Sequence, residues 1–170
     1  MGKGLFPDEY VASAYEINYE RLFQEGFRGV IYDIDNTLVL PDAPADDRAR
    51  EHLRRLRQMG WRAALVSNNR EGRVKSFSEE TGGIPYVYLA LKPFAKGYRH
   101  AMEMMKTTPG TTIFVGDQIY TDIWGANRAG LRSFLVQPMV TKEEPQIILK
   151  RLVEKPVLAA YRRRARKNLP

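Results

Sequence analysis

The chain contains no cysteine and only two histidines, His52 and His100, among 170 residues. Disulfides, thiolate metal sites and cysteine nucleophiles are therefore excluded, and too few imidazoles remain for a histidine-based zinc centre. No apolar run approaches the ~18 residues that a transmembrane helix requires. The segment Met1–Pro7 lacks the basic-then-apolar pattern of a signal peptide. We expect a cytoplasmic protein whose metal ligands, if any, are oxygen atoms.

The composition predicts one compact domain with its own core, because 44% of the residues are hydrophobic and 11% are aromatic. The net charge of +7 is unevenly distributed. Five of these charges come from Arg162, Arg163, Arg164, Arg166 and Lys167, which leaves 7 − 5 = +2 for the rest. We predict a single domain over residues 1–170, with an N-terminal lead-in (1–28) and a basic C-terminal helical tail (155–170).

Two stretches near the N-terminus have apolar residues at helical spacing. Residues 5–27 predict a helical lead-in that packs on the core, and an amphipathic surface for a membrane or a partner is the alternative. Asp42–Met59 predicts an amphipathic helix that Gly60 ends. Its arginine-rich outer face, which includes His52, is interpreted as solvated.

From Gly29 onward, strand-like runs alternate with helix-like segments. The later strands are predicted at Trp61–Val66, Tyr86–Ala90, Thr111–Val115 and Arg132–Val136. Two C-terminal helices are predicted at Glu143–Val153 and Pro156–Lys167. This alternation predicts an α/β fold of three layers, Rossmann-like, with a mostly parallel central sheet covered by helices on both faces. In such sheets ligands bind at the carboxyl ends of the strands.

Polar side chains follow four of these strands where each strand ends. The first run closes on Asp33 and Asp35, which alternation along an extended chain places on the same side. A strand running into an Asp/Asn-rich turn explains an isolated Asp-x-Asp equally well. The remaining strand ends, however, add to the same edge further acids and other polar groups: Ser67, Asn68, Asn69, Lys92, Asp117 and Asp122.

Four carboxylates, a lysine and a serine at one edge are suited to phosphoryl transfer. Carboxylate oxygens suit Mg²⁺, and a calcium site is the weaker alternative because these acids do not lie within one short loop. Asp33 is positioned to act as a nucleophile that forms an aspartyl-phosphate, and Asp35 to donate and accept the proton. Ser67 with nearby backbone amides would bind the phosphate, and Lys92 would balance negative charge.

The motifs Asp-Ile-Asp-Asn-Thr-Leu, Ser-Asn-Asn, Lys-Pro and Gly-Asp-Gln-x-x-Thr-Asp occur here in that order, between Asp33 and Asp122. In this order they resemble the haloacid dehalogenase-like (HAD) hydrolase superfamily. The resemblance is strongest to the YqeG-type subclass IIIA phosphatases, which are related to phosphatidylglycerophosphate phosphatases, and it extends over most of the chain.

The resemblance implies a role for each matching residue. Asp33 would be the nucleophile and a Mg²⁺ ligand, and Asp35 would be the general acid/base whose backbone carbonyl also binds Mg²⁺. Asp117 would be the third protein ligand, while Asp122 would act on the metal through water or orient Lys92. The implied phosphate-binding and loop-bracing residues are Ser67, the Asn68 amide, the Asn36 amide and Thr37.

Many relatives carry a cap domain after the first motif or between the second and third, and this chain has no room for one in either gap. An open site favours a large phosphorylated substrate or a partner that covers the site. Three hypotheses follow: a lipid-phosphate phosphatase peripheral to the inner face of a membrane, a phosphatase of soluble nucleotides or sugar phosphates, and a basic RNA- or ribosome-binding module with a vestigial site. The basic tail would contact anionic membrane or nucleic acid, or would form only a solvated helix end.

Overall fold

The computed structural model describes residues 4–139 and the helical residues 145–167, with side chains in that helix from 152 to 164. Its six strands are β1 (Glu9–Val11), β2 (Gly29–Tyr32), β3 (Arg62–Val66), β4 (Tyr86–Val87), β5 (Thr112–Gly116) and β6 (Arg132–Val136). They form one sheet in the order β1-β6-β5-β2-β3-β4, and each neighbouring pair is parallel. The predicted α/β class with a parallel central sheet is confirmed.

Six α-helices accompany the sheet within the described residues. They are α1 (Tyr19–Gln24), α2 (Asp47–Gln58), α3 (Glu71–Glu80), α4 (Lys96–Met105), α5 (Trp124–Arg128) and α6 (Pro145–Lys167). A π-helical turn over Ile119–Ile123 leads directly into α5. The predicted helix at Asp42–Met59 starts later than expected because the side chain of Asp46 caps it, accepting from the Ala49 N–H at 2.7 Å.

The helices cover both faces of the sheet, because successive strand residues point to opposite sides. On one face, Val30 and Tyr32 of β2 pack with the buried residues of α2 and α3. On the other, Ile31 packs with the buried residues of α4 and α5. The resulting three-layer arrangement is the predicted one.

The lead-in differs from its prediction. Instead of a helix over residues 5–27, the chain forms β1 at the edge of the sheet, a 3₁₀ turn at Ala14–Glu16 and the six-residue α1. Tyr10 and Val11 pair in parallel with Leu135 and Val136. A three-residue strand has too little alternation to be recognised beside aromatic residues at helical spacing, so the helical interpretation was wrong for this stretch.

His52 does not lie on a solvated face. Its ring packs against Tyr15, Tyr19 and Tyr32, with ring centroids 5.0 to 5.9 Å apart, and Nε2 lies 2.9 Å from the Tyr32 hydroxyl. The aromatic residues of the lead-in therefore enclose this side of α2 and leave His52 only partly exposed.

The C-terminal segment is one helix, α6, with Pro156 inside it, and not two helices. Proline normally ends a helix, which explains the wrong boundary. The helix is held on the body of the protein by Val157 and Leu158, which pack against Ile119 and Ile123, and by the buried Glu154. The predicted start at Glu143 lies outside the described residues. None of the described helices combines the length and the apolar character needed to cross a membrane.

The described residues contain no large cap domain. Between β2 and β3 the chain forms only a loop and α2, and between β3 and β4 only α3 with its flanking turns. The carboxyl edge of the sheet is therefore not covered by an inserted domain.

Candidate active site

The carboxyl ends of three adjacent strands bring the motif residues together. Strand β2 lies between β3 and β5, so Asp33, which follows β2, is flanked by Ser67 after β3 and Asp117 after β5. The Asp33 N–H donates to the carbonyl of Val115 at 3.0 Å, which extends the pairing with β5 past the end of β2. Asp33, Ser67 and Asp117 are all buried.

Lys92 joins two of the acids. Its Nζ donates to Oδ1 of Asp33 at 2.7 Å and to Oδ1 of Asp122 at 2.6 Å. The exposed fractions of the Lys92 and Asp122 side chains are 4% and 0%, so these ion pairs are shielded from water. The second carboxylate oxygen of Asp122 accepts from the Gln118 N–H at 3.1 Å. Asp122 is thus in direct contact with Lys92, whose orientation was one of the two roles expected of Asp122.

The pKa values of Asp33 and Lys92 reflect their burial and their mutual attraction. Burial raises the pKa of Asp33 to about 7; Lys92 opposes this rise, and Asp122 adds to it. Burial by itself would lower the pKa of Lys92, but the carboxylates of Asp122 and Asp33 outweigh it and raise that pKa above its ordinary value. Lys92 therefore stays charged at neutral pH.

Three buried acids form a group that could hold a metal. Asp33, Asp117 and Asp122 offer carboxylate oxygens that lie within 4.8 Å of one another. With Lys92, the four side chains carry −3 + 1 = −2 when the acids are ionised, a charge that one divalent cation would balance. Oxygen donors of this kind are those that Mg²⁺ prefers. The Asp35 carboxylate lies outside this group, so any contribution from Asp35 would have to come from its backbone carbonyl.

Asp35 is held by a different set of donors. Its Oδ1 accepts from Arg73 at 2.9 Å and from the Asp42 N–H at 3.0 Å, and its Oδ2 accepts from the side chain of Asn69. Because β2 ends at Tyr32, the simple alternation of an extended strand does not determine where Asp35 points. Sequence reasoning did not assign Arg73, and it noted Asn69 only as part of a polar strand end. An arginine in the first turns of α3 was the available signal.

In the loop after Asp35, the structure corrects the role expected of the Asn36 amide. Asn36 adopts a left-handed conformation with φ of 62°, and its N–H donates to the Val39 carbonyl at 2.8 Å. That amide closes the loop, so the implied phosphate contact by Asn36 is not available in this structure. Among the described residues, the buried hydroxyl of Thr37 meets no hydrogen-bond partner. Its backbone N–H donates to the Ile34 carbonyl at 3.2 Å within the loop, and the bracing role that the resemblance implies for Thr37 stays a prediction.

The strand end at residues 67–69 supports the lysine loop. Oδ1 of Asn68 accepts from the Lys92 N–H at 2.8 Å, and Oγ of Ser67 accepts from the Asn69 N–H at 3.2 Å. The carbonyl of Ser67 accepts from the Ala90 N–H at 3.0 Å. The Asn68 side chain therefore positions Lys92, a role that was not predicted. The phosphate-binding roles implied for its backbone amide and for the Ser67 hydroxyl stay predictions.

Two further residues position Asp122. The hydroxyl of Tyr98, on α4, lies 3.1 Å from the carbonyl of Thr121 and 3.2 Å from that of Asp122. Gly116 passes so close to Asp122 that a Cβ at residue 116 would lie 2.6 Å from Oδ2 of Asp122. The glycine of the Gly-Asp motif is thus required by this close approach. Nothing in the spacing of the sequence reveals what the buried hydroxyl of Tyr98 contacts.

Comparison with known proteins identifies relatives over most of the chain. The sequence profile of the family described as haloacid dehalogenase-like hydrolase matches residues 8–130. The chain is 37% identical over 165 residues to the Bacillus subtilis protein named "Probable phosphatase YqeG", covering 96% of this chain and 95% of that protein.

The chain is also similar to a more distant relative and to a solved structure. The chain is 32% identical over 148 residues to the chloroplastic phosphatidylglycerophosphate phosphatase 1 of Chlamydomonas reinhardtii, covering 81% of this chain but only 55% of that protein. The crystal structure of a HAD phosphatase from Thermococcus onnurineus superposes with a TM-score of 0.54 at 15% identity, over 70% of this chain and 90% of that one. At that identity the superposition supports the fold alone.

Proposed function

Because the chain belongs to the haloacid dehalogenase-like hydrolases and is a phosphatase, we propose that it hydrolyses phosphate monoesters through an aspartyl-phosphate on Asp33, with Mg²⁺ as cofactor. The observation that carries this proposal is the buried pairing of Lys92 with both Asp33 and Asp122, beside Asp117. A buried carboxylate next to a fixed cation can attack an anionic phosphate that its own charge would otherwise repel.

In the first step, an oxygen of Asp33 forms a bond to phosphorus while the bond from phosphorus to the leaving oxygen breaks. Asp35 supplies the proton that the leaving oxygen needs. In the second step, Asp35 takes a proton from water, which attacks phosphorus, and the Asp33–phosphorus bond breaks to release inorganic phosphate. Ser67 and the Asn68 amide bind the phosphate oxygens, and Lys92 balances charge on Asp33 and the phosphate.

The acidic group of Asp33, Asp117 and Asp122 is suited to Mg²⁺. Asp33, Asp117 and the Asp35 carbonyl would be its protein ligands, with Asp122 acting beside them. When bound, Mg²⁺ would neutralise charge on the phosphate oxygens and so lower the repulsion that Asp33 meets.

For the substrate, we propose the phosphomonoester of an anionic phospholipid, phosphatidylglycerophosphate. Support comes from the activity named for the Chlamydomonas relative and from the absence of a cap domain in the described residues. The basic end of α6 would assist at a negatively charged membrane surface, and the protein would act there as a peripheral protein. Soluble nucleotides and sugar phosphates are the alternative substrates.

The mechanism is tested with Asp33→Asn and Asp35→Asn on an aryl and an alkyl phosphate. Asp33→Asn should abolish turnover of both, because an amide does not attack phosphorus. Asp35→Asn should mainly slow the alkyl phosphate, whose leaving oxygen needs a proton. Near-normal alkyl phosphate hydrolysis by Asp33→Asn would exclude Asp33 as the nucleophile.

The metal and the substrate are tested separately. Excess EDTA should abolish aryl phosphate hydrolysis, and added Mg²⁺ should restore it; undiminished turnover in EDTA would contradict the metal assignment. Phosphate release from phosphatidylglycerophosphate vesicles is then compared with release from a panel of soluble phosphomonoesters. A preference for a soluble ester would replace the lipid substrate while leaving the chemistry in place.

A further inference from the structure

Large apolar side chains are exposed along the edge of the sheet that carries the acidic site. In the described part of the chain, those that follow strands at this edge are Leu40, Tyr88, Leu89, Leu91, Phe94 and Trp124. Single exposed apolar residues are ordinary on protein surfaces, but a cluster at the opening of a site marks an interaction surface. We define Leu89, Leu91, Phe94 and Trp124 as the apolar rim.

The loop that carries Lys92 alternates between inward and outward residues. Ala90 and Lys92 are buried, whereas Leu89 and Leu91 are 54% and 68% exposed. Two hydrogen bonds hold the inward residues. The Ala90 N–H donates to the Ser67 carbonyl at 3.0 Å, and the Lys92 N–H donates to Oδ1 of Asn68 at 2.8 Å. Outward positions of such an alternation are usually polar, and here both are leucines.

The backbone of this loop supports the same interpretation. Leu89 and Leu91 have φ angles of 41° and 53°, a region that residues other than glycine, asparagine and aspartate rarely adopt. The conformation that delivers Lys92 to Asp33 therefore also turns two leucines into solvent. A function for exposed leucines at these positions would explain why residues better suited to that backbone are absent.

Arg128 connects the two parts of the rim. Its guanidinium carbon lies 5.7 Å from the ring centroid of Phe94 and 5.4 Å from that of Trp124. The surrounding sequence is free of acids, with none between Glu80 and Glu103 or between Asp122 and Glu143. Exposed Lys96 adds a second positive charge close to Phe94. The rim is thus apolar in its centre and positive at its border.

We propose that the apolar rim inserts into the surface of an anionic phospholipid bilayer, which brings a phosphomonoester head group to Asp33. This inference rests on the proposed lipid-phosphate substrate. Leucine and aromatic side chains with arginine and lysine beside them match the acyl-chain boundary and the anionic head groups of a bilayer. The position of Leu91 next to Lys92, and of Trp124 two residues after Asp122, orients the site toward the membrane.

The test compares wild type with the double variant Leu91→Asn/Phe94→Gln. Asparagine tolerates the positive φ of Leu91 better than leucine does, so the loop should keep its shape. The control is Met104→Gln, which changes an exposed apolar residue on the C-terminal half of α4. Three quantities are measured: binding to vesicles of phosphatidylcholine and phosphatidylglycerol, hydrolysis of phosphatidylglycerophosphate in those vesicles, and hydrolysis of a soluble aryl phosphate.

The double variant should bind vesicles about tenfold more weakly, since less apolar surface enters the interface. Lipid phosphate hydrolysis should fall equally, with aryl phosphate turnover unchanged, and the control should behave as wild type. The proposal that the rim inserts into the bilayer would be overturned if the double variant and wild type bound vesicles equally, or if neither bound them. A rim-dependent dimer in sedimentation would also overturn it, because it would assign the surface to a second copy. If binding falls but wild type does not release phosphate from the lipid, the rim is supported and the lipid substrate is excluded.

Discussion

The guanidinium of Arg73 lies 2.9 Å from Oδ1 of Asp35, and the two side chains are only 18% and 22% exposed. A shielded, charge-assisted hydrogen bond of this kind fixes the direction of a carboxylate. We predict that Arg73→Met lowers kcat on alkyl phosphates by about tenfold and on aryl phosphates by less, because a misdirected Asp35 mainly affects leaving groups that need a proton. Steady-state kinetics on the two substrate classes measure this difference.

The matched control for Arg73 is Lys75→Met. Lys75 lies on the same helix, its side chain is 57% exposed, and it pairs with Glu79 at 3.9 Å. Its loss should leave both substrate classes unchanged. Equal loss on alkyl and aryl phosphates by Arg73→Met would instead point to a general structural role.

The second prediction concerns Lys92→Met. This change leaves the buried carboxylates of Asp33 and Asp122 without the cation that they share. Removing one partner of a buried ion pair costs about 3–5 kcal/mol of stability. The free energy of unfolding in urea should fall by that order in metal-free buffer. Saturating Mg²⁺ should recover part of the loss, because it supplies positive charge to the acidic group. Lys96→Met, at an exposed site, should change neither value. A Lys92→Met protein as stable as wild type without metal would show that the pairing contributes little.

The third prediction concerns Tyr98→Phe, which removes only a hydroxyl. Ring packing on Phe114, with centroids 5.0 Å apart, should persist, while the hydrogen bond to the segment of Asp122 is lost. We expect a loss of about 1 kcal/mol in stability and a several-fold fall in kcat with little change in KM. Tyr19→Phe is the control: it removes another buried hydroxyl, on α1, which donates to the Ala14 carbonyl at 2.8 Å and accepts from the Tyr32 hydroxyl at 2.6 Å. If both variants lose kcat alike, Tyr98 has no specific positioning role.

The fourth prediction is a pH dependence of stability from His52. Burial, with Arg55 and Arg48 nearby, lowers the pKa of His52 to about 4, whereas an unfolded histidine titrates near 6.5. Between these values the unfolded chain binds the extra proton, so stability should fall as pH drops from ~7 to ~4, by about 3 kcal/mol from this group. His52→Gln should remove this component, and His100→Gln, at an exposed site, should not. Identical pH profiles for wild type and His52→Gln would contradict the assignment.

The fifth prediction concerns the basic end of α6. Deleting Tyr161–Pro170 retains Glu154, Val157 and Leu158, which hold α6 on the fold, and removes all five basic residues of the tail. Binding to anionic vesicles should weaken, by at most about 5 kcal/mol if every charge reached the surface, and aryl phosphate turnover should stay nearly constant. High salt should mimic the deletion. Equal vesicle binding with and without the tail at low salt would show that the tail makes no electrostatic contribution to membrane binding. Much tighter binding to RNA than to vesicles would favour nucleic acid as the partner of the tail.

Part of the site was predictable because it depends on chain order and strand ends. The alternation of strands and helices predicts a parallel sheet, and ligand sites in such sheets lie at one edge. Asp33, Ser67 and Asp117 each follow a strand directly, so adjacency of their strands brings them together. For this reason their residue types and positions were enough to indicate a phosphoryl-transfer site.

What the sequence determined by itself was therefore the order of the elements, the acids at the strand ends and the chemistry that those acids suit. Tertiary structure decided the partners of each polar atom: Lys92 between Asp33 and Asp122, Arg73 on Asp35, and Tyr98 on the segment of Asp122. It also decided that β1 joins the sheet and that α6 continues through Pro156. The physical reason is that periodicity reports which face of an element is apolar, whereas hydrogen-bond geometry depends on how elements distant in sequence pack.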